Sequence, residues 1–326
     1  MRIFSKLALI ATLLALCVVV LGAYVRLSDA GLGCPDWPGC YGTLTVPQSE
    51  SALALAQTAY PDSPVEHGKA WKEMIHRYLA GALGLLVLAI FVQGWRSRRE
   101  IKVSPILPSF LLVLITFQAA LGMWTVTMLL KPAVVTAHLI GGMSTLALLT
   151  WIAHRHWGLV STRYLQSDNL CFWLRGALII LFAQIFLGGW TSTNYAALAC
   201  TDFPTCHGAW IPEMDFSNAF HWFRELGQGA DGKVLPLAAY TAIQWTHRVG
   251  AMITFFYLAL LGWQLLKQPQ LKKTTQIMLG LLVVQIGLGV ANLLLHLPLA
   301  LAVGHNIGAA LLLITVVVLN SKITDT

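Results

Sequence analysis

Four histidines stand in two echoing pairs along this chain. His76 closes the run Trp71-Lys72-Glu73-Met74-Ile75-His76, and His138 follows Thr136-Ala137; His247 closes Gln244-Trp245-Thr246-His247, and His305 follows Val303-Gly304. Imidazole binds Zn, Cu or Fe. Two imidazoles on neighbouring helices can also hold one haem iron from opposite faces. A lone histidine in an apolar helix is as readily an interhelical hydrogen-bond partner; two matched pairs favour ligation. The copies differ at one position, where Glu73 is answered by Gln244. Glu73 precedes His76 by three residues and so shares its helical face. A carboxylate there can take a proton, position a water or stabilise a developing cation; an amide cannot do charged chemistry. The plainer reading pairs Glu73 with Lys69, Lys72 or Arg77. Arg77 and Arg248 each follow a histidine. Their guanidiniums suit the carboxylates of a porphyrin, or they snorkel to a membrane interface.

These residues must be carried by membrane helices. The chain has 326 residues, 57% hydrophobic and only 11% charged, against about 25% charged in soluble domains. A spanning helix needs roughly 20 apolar residues. Eight stretches qualify, near 7–27, 71–94, 105–127, 133–153, 172–193, 237–262, 274–295 and 298–319. Backbone groups in lipid must bond internally, so helices are expected. The net charge of +7 is topological and does not point to nucleic acid. Arg2 and Lys6, Arg96, Arg98, Arg99 and Lys102, Arg155 and Arg163, Lys267, Lys272 and Lys273, and Lys322 fall at alternate helix ends. The positive-inside rule then makes both termini cytoplasmic in a cell inner membrane, or matrix-facing in a mitochondrial one. The first stretch is too long for a secretory signal and has no cleavage site before Arg26, so it counts as a helix.

Sliding the chain by 166 residues brings Gly22 onto Gly188, Cys34 onto Cys200, Asp36 onto Asp202 and Cys40 onto Cys206. A slide of 167 brings Gln118 and Gly122 onto Gln285 and Gly289, and His138 onto His305. One of 171 brings His76-Arg77 onto His247-Arg248. Each half has an even number of helices, so the repeat is parallel. The expected architecture is two four-helix bundles, 1–153 and 172–326, joined by a cytoplasmic linker, 154–171. The outer loops 28–70 and 194–236 carry segments 51–56 and 215–223 that read as short interfacial helices. Each histidine sits about five residues into its helix, roughly 7–9 Å below the outer surface. Gly81, Gly84, Gly141, Gly142, Gly250 and Gly308 leave room for a macrocycle or let helices pack closely.

Cys34 and Cys40 are separated by five residues, as are Cys200 and Cys206. Both pairs face the oxidising side, which favours structural disulfides; a redox-active bond is the alternative, and His207 beside Cys206 keeps zinc in view. Cys17 and Cys171 read as packing residues. His154 and His156 read as solvated, and His67, His207, His221 and His296 as incidental.

The run Gly33-Cys34-Pro35-Asp36-Trp37-Pro38-Gly39-Cys40, the Glu73-x-x-His76-Arg77 start and the placed histidines together resemble the haem A synthase family, over nearly the whole chain. The resemblance implies oxidation of the C8 methyl group of haem O to the formyl group of haem A, with water as oxygen source. It implies haem O between His76 and His138, a haem b cofactor ligated by His247 and His305, and Glu73 as the catalytic carboxylate. It further implies an electron acceptor and a haem O synthase as partners. Two rivals share the histidines. A di-haem electron-transfer protein of the cytochrome b type has no use for a carboxylate at one site only. A haem transporter needs a route to both faces, whereas all four histidines cluster near one.

Overall fold

The computed structural model describes residues 2–96, 98, 104–156 and 165–324. Among these, the helices are α1 (Arg2–Leu27), α2 (Glu50–Ala59), α3 (His67–Arg96), α4 (Ile106–Thr127), α5 (Pro132–His156), α6 (Asp168–Thr193), α7 (Phe216–Ala219), α8 (Leu237–Leu265), α9 (Lys272–Leu294) and α10 (Leu299–Ser321). All but α2 and α7 are long and apolar enough to cross a membrane. The chain is an all-helical, multi-pass membrane protein. One small parallel pairing joins β1 (Leu165–Gln166) to β2 (Ile323–Thr324). Part of the expected linker, 157–164, lies outside the described residues, as do Arg99, Lys102 and Arg163.

Local chemistry sets where the helices begin and turn. Ser49 and Ser167 cap α2 and α6 by accepting hydrogen bonds from the amides of Ala52 and Leu170, satisfying donors a helix start leaves orphaned. Pro236 and Pro298 stand just ahead of α8 and α10. The α4–α5 and α9–α10 connections are tight turns, with positive φ at Leu129 and Leu130 and again at His296 and Leu297. Hydroxyls inside the spans return to the carbonyl four residues back, as Thr150 does to Leu146 and Thr254 to Gly250.

Helices α1, α3, α4 and α5 touch in a closed ring, and α6, α8, α9 and α10 in another. The rings meet where α5 packs on α6 and α10 and α1 packs on α10. Phe4, Leu146, Leu149, Leu174, Leu258 and Leu313 belong to one continuous buried core that draws on both rings. In lipid such a core gains from close packing rather than from expelling water. Across the seam Thr136 and Thr193 share a hydroxyl hydrogen bond of 3.1 Å. Arg26, at the end of α1, reaches the Tyr195 hydroxyl at 2.6 Å and the carbonyls of Ser192 and Thr193.

Three expectations need correction. Segment 51–56 is helical within α2, but 215–223 yields only α7. Its aromatic residues stack instead: Phe220 lies parallel to Trp190, and Trp222 packs against the same indole. His154 and His156 are half-buried rather than solvated; the Ser321 hydroxyl lies 2.7 Å from His154 Nδ1, and Phe4 meets the His156 ring edge-on. Helix α3 starts at His67, four residues before the expected 71. His76 therefore lies ~13 Å along its helix and His247 ~15 Å, while His138 and His305 lie ~9 Å along theirs.

Candidate haem-binding and catalytic site

A cavity of about 1980 Å³ runs between the two rings, and all four paired histidines line it. Each is half-buried, with its exposure towards that space. His138 stands within electrostatic reach of His76, and His247 of His305.

Every ring rests on a glycine of the preceding membrane helix. A methyl group placed on Gly22 would come within 2.9 Å of His76 Cε1, and one on Gly188 within 3.1 Å of His247 Cε1. The same construction on Gly122 and Gly289 comes within 3.4 Å of His138 Cε1 and 3.2 Å of His305 Cε1. A side chain at Gly22 would force the His76 ring to shift, one at Gly188 or Gly289 would crowd its imidazole by a few tenths of an ångström, and one at Gly122 would just touch His138. The signal was present in the sequence, because the repeat offsets pair Gly22 with Gly188 and Gly122 with Gly289, but their task shows only in three dimensions. Gly141, Gly250 and Gly308 do not make room for a macrocycle. The side chains of Gln118, Gln184 and Gln285 fill the space over them. Gly81 and Gly84 do face open space and line the cavity.

The second pair has hydrogen-bond partners that the first lacks. Gln184 Nε2 lies 3.1 Å from His247 Nδ1 and donates to the His247 carbonyl at 3.2 Å. Gln285 Nε2 lies 3.4 Å from His305 Nε2 and donates to the His305 carbonyl at 3.0 Å. In the first pair Val18 stands where the repeat puts Gln184. The Val18 and Gln118 carbonyls face His76 and His138, yet neither Nδ1 is in hydrogen-bond geometry. Partners of this kind orient a ligating imidazole and select its tautomer.

Glu73 is 4% exposed and lines the cavity. One carboxylate oxygen accepts from the Cys34 amide at 3.0 Å, and the other is paired with Arg77. Of its three sequence-level partners, Arg77 is the one found; Lys69 pairs with Glu66 and Lys72 stacks over Tyr24. Arg77 also donates to the carbonyls of Asp36, Pro38 and Gly39. Gln244, 7% exposed, lines the same cavity, and its Oε1 is unpartnered. Relieved of a carboxylate, Arg248 puts both terminal nitrogens on loop carbonyls, at Asp202, Thr205 and Cys200. Both arginines thus tie a cysteine loop to the histidine helix.

Those loops are closed by the disulfides Cys34–Cys40 and Cys200–Cys206. Each contains a cis proline, Pro38 or Pro204, a feature that sequence reading missed. Asp36 accepts from the amides of Tyr41 and Gly42, and Asp202 from those of His207 and Gly208. The Thr205 hydroxyl, then the Gly208 and His207 amides, hold the Asp202 carboxyl well below its ordinary range.

Among the described residues the candidate donors gather in twos, with no cluster of three or more His, Cys, Asp or Glu. Two opposed imidazoles over an apolar space are the donor set of a porphyrin iron. The unpartnered Nδ1 atoms of His76, His138 and His305 and the glycine seat beneath each ring fit that use.

The sequence matches the cytochrome oxidase assembly protein family over residues 5–317. It is 47% identical over 319 residues to the haem A synthase of Shewanella oneidensis, covering 97% of this chain and 94% of that one. This chain belongs to the haem A synthase family. It is also 28% identical to the haem A synthase of Caulobacter sp. over 329 residues, covering 94% and 92% of the two chains. With that of Halalkalibacterium halodurans it shares 26% over 254 residues, covering 76% of each.

Proposed function

We propose that the chain oxidises the C8 methyl group of haem O to a formyl group, giving haem A, with water supplying the oxygen. The observation that carries this reading is Glu73: a buried carboxylate on the cavity wall, one turn from His76, whose counterpart Gln244 has no charge. The halves 1–153 and 172–326 act as separate sites of a parallel repeat. His76 and His138 bracket haem O; His247 and His305, with their glutamine partners, ligate haem b. Bound there, haem b supplies one-electron redox chemistry that relays electrons to an external acceptor.

Converting a methyl group and one water to a formyl group releases four electrons and four protons. Loss of two electrons and one proton from the methyl group, the electrons passing to the external acceptor, leaves a benzylic-type cation, which a nearby anion stabilises. Glu73 provides that anion. Its oxygens accept from Arg77 and from the backbone amides of the Cys34 loop, and a carboxylate has about four acceptor sites, so one is left for water. Glu73 therefore orients the attacking water and accepts its proton, while Arg77 and the Cys34–Cys40 loop fix the carboxylate against the ring edge. Arg77 and Arg248 keep a second use, since a guanidinium that holds a loop at the cavity mouth also faces the carboxylates of a bound porphyrin. Basic residues at Lys6, Arg96, Arg98 and Lys322 support termini on the cytoplasmic side, with the cysteine loops outside.

The test is to express the chain in cells that make haem O and identify the extracted haems. Formyl haem is expected. A folded preparation with an electron acceptor that yields none would overturn the reading and leave a di-haem electron carrier.

A further inference from the structure

Each cysteine loop ends in an apolar tip. The offset of 166 that pairs the cysteines also pairs Leu44 with Trp210. Leu44 is 80% exposed, Trp210 71% and its neighbour Ile211 76%. No Asp, Glu, Lys or Arg occurs from Trp37 to Ser49 or from Phe203 to Pro212. Apolar side chains this exposed, in two matching stretches without such a charge, mark a surface that something else covers.

The tips are held low against the helices. The Tyr78 hydroxyl on α3 donates to the Leu44 carbonyl at 2.8 Å, and the Trp245 indole on α8 donates to the Trp210 carbonyl at 2.9 Å. Tyr78 follows His76 by two residues, and Trp245 precedes His247 by two. Both bonds therefore leave their helices close to the level of the histidines. The facing His138 and His305 lie ~9 Å inward of the turns that join α4 to α5 and α9 to α10. Even with the phenol and indole leaning outward along their helices, the tips stand no further out than those turns. The turns themselves expose Leu129 and Leu295, and outward of the tips Ile75 on α3 and Leu237 at the start of α8 are exposed too. The apolar outer surface of both helices thus continues past the loop tips.

The tips also spend their backbone groups internally. Cys40 and Thr43 exchange two backbone hydrogen bonds, as do Cys206 and Ala209. The next carbonyl in each loop is the one taken by Tyr78 or Trp245. Irregular backbone is tolerated near lipid only where its polar groups are satisfied.

We infer that both cysteine loops dip their tips into the bilayer leaflet on the histidine side, with Leu44, Trp210 and Ile211 at the boundary between headgroups and acyl chains. Lipid is the occupant because this surface is continuous with the membrane-facing sides of α3 and α8. An indole ring suits that boundary. Leu44 and Trp210 also line the cavity, so the tips stand between that space and lipid. Each loop that Arg77 or Arg248 ties to a histidine helix is thereby anchored in the membrane as well, whatever ligand the cavity takes.

The experiment places an environment-sensitive fluorescent amino acid at position 44 or 211 of the full-length chain, held in phospholipid nanodiscs so that both faces meet the solvent. The same amino acid at position 113, exposed near the middle of α4, serves as the lipid reference, and at position 231, exposed in the second long loop, as the water reference. Emission is quenched from lipid by acyl chains carrying a nitroxide and from water by iodide. Helical circular dichroism reports an intact bundle in each labelled protein. Positions 44 and 211 should emit to the blue of position 231, lose most of their emission to the nitroxide lipid, as position 113 does, and resist iodide. Iodide quenching at 44 or 211 as strong as at 231 would place that tip in water and overturn the inference for its loop. Resistance to both quenchers would overturn it too, by placing the tip against protein, as in contact with a second copy of the chain.

Discussion

The two histidine sites of this chain share one frame and differ in what surrounds it. Both have a glycine beneath each imidazole, an arginine tied to a cysteine loop, and a cis proline within that loop. Around His247 and His305 the polar groups serve the histidines: Gln184 and Gln285 reach each ring or its backbone. Around His76 and His138 that support thins to Val18 and an unpartnered Gln118. Polar structure gathers instead on Glu73, held between Arg77 and the Cys34 amide. On the proposed function, one site holds its ligands still and the other aims a charge.

The comparison can be broken at several points. The largest effect is expected from the histidines. His247→Ala should remove the tightly bound haem, seen as loss of its absorption band, whereas His76→Ala should keep that band and abolish haem A formation. The reverse pattern would exchange the roles of the halves. Next comes Arg77→Lys. An ammonium cannot hold Glu73 and three loop carbonyls with one planar fork, so turnover should fall by roughly tenfold to a hundredfold with the resident haem unaffected; full turnover would detach the arginine from the chemistry. Smaller and more diagnostic is the glycine pair. Gly188→Ala should displace His247 and shift the spectrum of the resident haem, while Gly22→Ala should leave that spectrum alone and slow turnover. Identical effects from both would mean the seats do not distinguish the sites. Smallest is Cys34→Ser with Cys40→Ser. For so short a loop the loss is about 2 kcal/mol, read as a lowered Tm; an unchanged Tm would make the bond dispensable for stability.

Much of this was legible in the sequence. The eight spans, the cysteine pairs and the Glu73–Gln244 mismatch follow from composition and from sliding the chain along itself. What the sequence did not disclose depends on packing between helices. Gly22 and Gly188 read as repeat markers until an imidazole was found lying on each. Gly141, Gly250 and Gly308 read as space for a macrocycle, but glutamine side chains from the adjacent helix occupy it. Arg26 entered the sequence reading only as the point before which no cleavage site occurs, yet it clasps Ser192, Thr193 and Tyr195 of the other half. Segment 215–223 has helical content by residue type, but the helix ends at Ala219 and the next residue, Phe220, stacks on Trp190. In each case the deciding contact comes from a residue remote in the chain, which periodicity cannot report.

The most direct test of the division between an aiming site and a holding site is the haem content of Glu73→Gln, which makes the first site resemble the second. That variant should retain its resident haem spectrum and bind haem O, while the haems extracted from the cells contain no formyl haem. Formyl haem at the wild-type level from that variant would contradict it.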